Sequence, residues 1–349
     1  MAPGRSLATL FGTRGTARRS CSPHARRQES AYLVMTAPNV SVIVAAWNAA
    51  GFIGNALRSA LAQQGVTLEV LVIDDASTDA TVQVVEALND QRIRCIRLPT
   101  NQGPAGARNA GLAAAQGEWV AVLDADDTMR PHRLAQLVAF GRETAADIVA
   151  DNLWVSTTNA SRPPHLLIDE PLDGAALPVS LQDYFLDNLL FGKGRGLGYL
   201  KPLFRLEFLR GHALAYDPHL RIGEDFQLVA EALAQGAKFV RRRSADYDYQ
   251  VHTGSISHRL SEANAQAMLQ AADGFLARYA AQLATADRAA AEAYTRSLRQ
   301  GAAFVAMVAA LKRRRVNDFL TIAATNPAAL KHMMMPVQAR LQRFFGQGR

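Results

Sequence analysis

The chain has 349 residues, 49% of them hydrophobic, enough to bury one large core or two modest ones. Its only cysteines, Cys21 and Cys95, suggest no disulfide framework and fit a reducing compartment. The longest apolar run near the C-terminus, Ala302–Leu311, is too short to span a bilayer.

The net charge of +7 is unevenly placed, with six arginines against the single acid Glu29 in residues 1–34. Residues 1–38 have neither strand nor helix period and read as a disordered leader. Arg- and Ser-rich and acid-poor, they have the composition of a transit peptide but lack the apolar segment of a secretory signal. Met35, just ahead of the first strand, is a simpler start. With the leader set aside, the basic pI is weak evidence for nucleic acid, because its arginines have no interleaved aromatics.

Val40–Ala46 (VSVIVAA) is a β-branched run of strand length ended by Trp47-Asn48. Phe52, Ile53, Ala56, Leu57, Ala60 and Leu61 follow at helical spacing. Leu68–Ile73 predicts a second buried strand, running into Asp74-Asp75-Ala76-Ser77-Thr78-Asp79; Asp79 suits the cap of a helix over Ala80–Leu88. A strand at Ile93–Leu98, a turn at Asn101–Pro104 and a helix over Ala105–Gln116 come next. Trp119–Leu123 is a fourth strand, with a helix over Pro131–Phe140 and a strand around Asp147–Ala150 behind it. Strands alternating with helices predict an α/β fold with a mostly parallel, Rossmann-like sheet flanked by helices.

From Asp151 to about Leu220 the pattern dissolves. Phe191–Gly198 (FGKGRGLG) reads either as a solvated connector or as a mobile cationic lid over an anionic substrate. The spacing predicts a helix over Pro202–Arg210, another over Phe226–Ala234, and short strands at Lys238–Arg243 and Tyr247–Val251. After Ser261 the chain turns to Ala-rich helices.

The stretch Glu118–Arg130 organises the rest. Asp124, Asp126 and Asp127 crowd the carboxyl end of a buried strand, where open α/β sheets bind ligands. They would repel one another without a cation or a hydrogen-bonded ligand among them. In an extended Asp-Ala-Asp, Asp124 and Asp126 would face one ligand. Asp74-Asp75 ends a strand of the same sheet. No glycine-rich phosphate loop follows a strand, so a divalent cation, Mg²⁺ or Mn²⁺, is expected to handle a diphosphate. Asp225, at the start of a helix, could take a proton from an incoming hydroxyl.

Val40–Asn48 (VSVIVAAWN), Val72–Asp79 (VIDDASTD), Gly106–Gly111 (GARNAG), Leu123–Asp127 (LDADD) and Gly223–Leu228 (GEDFQL) resemble, in order and spacing, family 2 glycosyltransferases of the GT-A fold. The overall look is closest to non-processive bacterial enzymes of exopolysaccharide assembly, of the succinoglycan type. The resemblance implies an inverting, metal-dependent transfer of one sugar from a nucleotide sugar, UDP by family habit, to a hydroxyl of a glycan or polyprenyl-diphosphate-linked acceptor. It places Ala45, Trp47 and Asn48 in the loop lining the nucleotide pocket, and Asp75 on the base with Asp74 beside it. Asp124 falls near the ribose, Asp126 on the metal, Arg108 against the donor, and Asp225 as general base. Glu224 reads as a supporting residue and His252 as either a diphosphate contact or a surface histidine. The Gln-x-x-Arg-Trp motif of processive members is absent, which favours single-sugar addition.

The expected organisation is a catalytic domain over 39–260, with a donor half to 150 and an acceptor half beyond it, and a helical extension over 261–349. Lys312–Arg315 and Leu330–Arg343 could rest on the cytoplasmic face of an inner membrane, or pack on the catalytic domain or a second subunit. The alternative functions are a non-catalytic nucleotide-sugar-binding or scaffold member of an assembly complex, and a sugar-phosphate nucleotidyltransferase. The latter would want basic residues that Ala45–Gly51 lacks.

Overall fold

A computed structural model describes residues 38–157, 163–251 and 260–334. The leader, His252 and most of the basic tail therefore lie outside the described residues. The first half follows the sequence pattern: β1 (Val40–Ala46), α1 (Ile53–Leu61), β2 (Leu68–Asp74), α2 (Thr81–Glu86), β3 (Ile93–Arg97), α3 (Gly103–Ala114) and β4 (Trp119–Val122). These strands pair in parallel in the order β3-β2-β1-β4. The order follows from burial: β1, β2 and β4 are apolar on both faces and take the interior, while the half-charged β3 (IRCIR) takes the edge.

The buried face of α3 carries small residues, Gly103, Ala105, Gly106, Ala107 and Gly111, that let the helix pack against the sheet. A Cβ on Gly111 would sit 2.5 Å from Ile43 Cγ2, so only glycine admits that approach. The helix starts at Gly103, whose φ of +78° is open to glycine, two residues earlier than its apolar spacing indicates. Arg108 is thereby carried to the carboxyl edge of the sheet.

The second half is where expectation and structure part. β5 (Thr128–Met129), α4 (Arg133–Thr144), β6 (Ile148–Thr157), β7 (His165–Leu166), β8 (Ala176–Val179), α5 (Leu181–Leu186), β9 (Leu203–Arg205), α6 (Leu206–Gly211), α7 (Glu224–Ala234) and β10 (Phe239–Val251) complete a ten-stranded mixed sheet. The helix expected over Pro202–Arg210 is instead strand β9 followed by the short α6. Leu203 and Phe204 are buried between β4 and β6, antiparallel to both, and that tertiary pairing overrides the local helical spacing. The two strands expected over 238–251 are one. β10 runs through the polar stretch after Arg241 by two register shifts against β6, and the irregular backbone absorbs residues that break alternation. β6 itself extends well past Ala150, through Thr157.

Three further helices follow: α8 (Glu262–Tyr279), α9 (Thr285–Lys312) and α10 (Val316–Thr325), with a 3-10 segment at Pro327–Met334. α8 begins on a Ser261 cap that accepts the Asn264 N–H. α8 and α9 share the main core with the α/β part. Phe226 of α7 stacks on Tyr294 of α9, with centroids 4.4 Å apart, and on Tyr184 of α5 at 5.0 Å; Phe185 packs edge-on against Phe275 of α8. The helical extension therefore buttresses the helix that carries Glu224 and Asp225. Among the described residues no helix is long and apolar enough to cross a membrane.

Candidate active site

The carboxyl ends of β1, β2 and β4 form one edge, and hydrogen bonds between loops fix its shape. Asn48, at a φ of 49°, accepts from Thr78 N–H at 2.8 Å, and its own N–H donates to Ser77 Oγ at 2.9 Å. Asp79 accepts from the N–H groups of Thr81 and Ala50, so it ties α2 to the β1–α1 loop as a capping side chain would. Ala45 sits half-buried near the end of β1, and Trp47 just beyond it is 55% exposed; Trp119 is wholly core.

Alternation along β2 sends Asp74 and Asp75 to opposite faces. Both are buried. Asp75 Oδ1 accepts from Gln102 N–H at 2.7 Å and Oδ2 from Gly103 N–H at 2.8 Å, clasping the start of α3. Asp74 faces Arg97, 4.0 Å from its Nε, and its Oδ1 has no hydrogen-bond partner among the described residues.

A five-membered charge cluster fills the space beyond β4. Arg108, 4% exposed, donates from Nη1 to Glu224 Oε1 at 2.5 Å and Asp225 Oδ1 at 3.1 Å, and from Nη2 to Asp124 Oδ1 at 2.8 Å. Lys201 Nζ reaches Asp124 Oδ2 at 2.8 Å and Asp225 Oδ2 at 3.1 Å. The Arg108 guanidinium also lies over the Tyr216 ring, 5.5 Å from its centroid. Burial by itself would raise the Asp124 carboxyl, yet Lys201 and Arg108 together hold it well below the usual carboxylate range. Burial likewise opposes the Lys201 charge, but Asp124 and Asp225 hold its ammonium well above the usual value. Glu224 goes the other way: burial outweighs Arg108 and pushes its carboxyl up.

The sequence missed Lys201, which sits in the irregular stretch before Pro202. Its placement depends on β9. Antiparallel pairing of Leu203 with Ala121 brings Lys201 level with Leu123, one residue from Asp124. Arg108, expected against the donor, is paired here with the carboxylates of Asp124, Glu224 and Asp225. The cationic loop at 191–198 is folded against the end of α5, where Arg195 pairs with Asp187 and Gly198 N–H donates to Asn188 Oδ1.

Asp-Ala-Asp is not extended. Asp127 N–H donates to Asp124 O at 3.1 Å, closing a turn, because the chain must reverse within four residues to enter β5. Strand alternation therefore does not set the faces of Asp124 and Asp126. Asp127 is fully buried and accepts from Tyr247 OH and Gln250 N–H, both at 2.8 Å; burial and the nearby Asp124 and Asp126 charges push its carboxyl up. Tyr247 OH in turn accepts from Asp124 N–H at 3.2 Å. Asp126 remains half-exposed at the tip of the turn.

Among the described residues no three His, Cys, Asp or Glu side chains are grouped to hold a metal. Asp126, half-exposed at the tip of the turn, offers a hard carboxylate oxygen of the kind a divalent cation takes.

Lys201→Met should lower the midpoint of chemical denaturation, because Asp124 loses one of the two cations that hold it ionised in a buried place. Lys201→Arg should retain most of the wild-type stability. An unchanged midpoint in Lys201→Met would reduce Lys201 to a packing role.

The family model for glycosyl transferase family 2 matches residues 41–191. The chain is 42% identical over 307 residues to the succinoglycan biosynthesis protein ExoO of Rhizobium meliloti, covering 88% of this chain and 87% of the relative. It is 28% identical over 226 residues to the Escherichia coli enzyme WfaP, UDP-Glc:alpha-D-GlcNAc-diphosphoundecaprenol beta-1,3-glucosyltransferase, covering 62% of this chain and 79% of that one. The crystal structure of S. aureus TarS in complex with UDP-GlcNAc superposes with a TM-score of 0.58 at 20% identity, over 82% of this chain and 91% of that one. The chain belongs to glycosyl transferase family 2 and is a glycosyltransferase of the GT-A fold.

Proposed function

We propose that this enzyme transfers one sugar, with inversion, from a nucleotide sugar to a hydroxyl of a glycan or polyprenyl-diphosphate-linked acceptor, in the assembly of an exopolysaccharide or related surface glycan. The observation that carries the reading is the convergence of Asp124 and Asp225, from elements a hundred residues apart, on the same two buried cations. Residues 39–150 supply the donor side and 151–260 the acceptor side, with the helices beyond 260 as support. The relatives' names support exopolysaccharide assembly, a UDP-linked donor and a lipid-diphosphate acceptor. Such an acceptor would place the enzyme at the cytoplasmic face of the inner membrane.

Ala45, Trp47 and Asn48 line the nucleotide pocket, with the exposed Trp47 ring as a stacking face. Asp75 lies against the base and Asp124 faces the ribose, while Asp74, on the other face of β2, holds Arg97. Asp225 accepts the proton of the acceptor hydroxyl as that oxygen bonds to the anomeric carbon, and the bond from that carbon to the diphosphate breaks on the opposite side. Glu224 anchors Arg108. Family 2 enzymes of this fold commonly use divalent cations. Asp126 would be the protein ligand of Mg²⁺ or Mn²⁺, which would neutralise charge on the departing nucleoside diphosphate.

The test is nucleoside diphosphate release across a panel of nucleotide sugars, with Mg²⁺ or Mn²⁺ and with chelator. One donor should turn over only with metal, and Asp126→Ala should lose that response by about 10²-fold or more. Turnover unaffected by chelator would remove the metal role from Asp126. Donor binding without turnover, in the presence of every candidate acceptor, would favour a scaffold role.

A further inference from the structure

The C-terminal helices leave an unusual surface uncovered. α10 has no fully buried residue. Phe319, Ile322 and Ala323 lean on Ala303, Met307 and Ala329, while Val316 and Leu320, one turn apart on its flank, are 58% and 57% exposed. Leu311 on the last turn of α9 and Leu330 in the 3-10 segment are exposed as well. Four of the nine large hydrophobic side chains exposed among the described residues thus fall within residues 311–330, too many for chance scatter.

Cations are threaded among them. Lys312–Arg315, all exposed, run directly from Leu311 to Val316. Arg314 takes a left-handed turn at φ 59°, and it and Arg315 line an open hollow with Val316, Asn317 and Asp318. Arg313 meets Glu262 at 3.2 Å and Arg315 meets Asp318 at 3.8 Å, exposed pairs that cost little to separate. Lys312 and Arg314 face no acid among the described residues. From Lys312 to the end the sequence holds eight Lys and Arg against the single acid Asp318.

We propose that this face docks on an anionic lipid surface, with Lys312–Arg315 against the headgroup phosphates and Leu311, Val316 and Leu320 in the interfacial layer. A second copy would bring two cationic faces together, and nucleic acid would call for aromatic stacking where the exposed side chains are aliphatic. The same helices also hold the acceptor side. Phe191 packs against Phe304 at 5.5 Å and His332 at 4.8 Å, and Leu190 N–H donates to Ser297 Oγ at 3.0 Å. That contact anchors the start of the segment that ends at Lys201, so docking would set the crevice at a fixed relation to the lipid. The link to a lipid-linked acceptor rests on the function proposed above; the docking itself does not.

The experiment is co-sedimentation of the full chain with phosphatidylcholine vesicles, with and without phosphatidylglycerol, at low and high salt. Wild type should bind only the anionic vesicles and be released by salt. The triple variant Arg313→Glu, Arg314→Glu, Arg315→Glu should bind at least about tenfold more weakly. Val316→Ser with Leu320→Ser should weaken binding and make it more salt-sensitive, whereas Arg18→Gln with Arg19→Gln in the leader should change nothing. All three variants should release nucleoside diphosphate from donor as wild type does, which separates lost docking from misfolding. Equal binding to both vesicle types, or undiminished binding by the triple variant, would overturn the proposal. So would a concentration-dependent dimer that the triple variant abolishes.

Discussion

Asp225→Asn should bind donor as wild type does and transfer sugar roughly 10²–10⁴-fold more slowly. The substitution is close to isosteric, and the amide oxygen can still accept from Arg108 Nη1, now 3.1 Å from Asp225 Oδ1. Lys201 also retains Asp124 at 2.8 Å, so the cluster should keep its shape. What is lost is the basic carboxylate on the first turn of α7, whose side chain is 18% exposed and so open to an acceptor. Donor affinity measured by titration calorimetry, with single-turnover transfer beside it, separates the two effects. Glu224→Gln is the control. Glu224 is more deeply buried against Arg108 than Asp225 is, so its replacement should leave the chemical step nearly intact. Near-normal transfer by Asp225→Asn would place the base elsewhere.

Much of the first half was legible because its signals are local. Three apolar runs and one half-charged run, separated by short helices, leave little freedom, and β1, β2 and β4 fall within a residue of the sequence boundaries. Asp124 and Asp225 could be singled out for the same reason, each sitting at the end of a strongly marked element. Lys201 could not. It comes to the site through β9, whose three residues form a strand only because β4 and β6 stand on either side. The turn at Asp124–Asp127 was hidden too: nothing in Asp-Ala-Asp-Asp announces that the next two residues pair with β10 and pull the chain back. Long-range pairing decides both, and one chain's periodicity carries no record of it. The uncovered flank of α10 is a similar case, since Val316 and Leu320 share the apolar spacing of a core helix and only the packing leaves them outside.

Arg108→Met should destabilise the fold by about 3–5 kcal/mol, the largest single-site loss expected in the crevice. Arg108 is buried against three carboxylates, those of Asp124, Glu224 and Asp225, and methionine fills much of its volume without its charge. The loss would come mainly from the groups left behind. Lys201 still serves Asp124 and Asp225, but Glu224, only 7% exposed, has no other ion-pair partner among the described residues. Chemical denaturation should therefore show a lower midpoint with an unchanged slope. Two further measurements identify the cause. Adding Glu224→Gln should recover part of the loss, because a neutral amide tolerates burial that a lone carboxylate does not. Lowering the pH from neutrality should also narrow the deficit. The Glu224 carboxyl already titrates above its usual value in the folded protein, so the folded state gains protons ahead of the unfolded chain as pH falls. A deficit constant with pH and indifferent to Glu224→Gln would mean that the guanidinium acts through packing against Tyr216 rather than through charge.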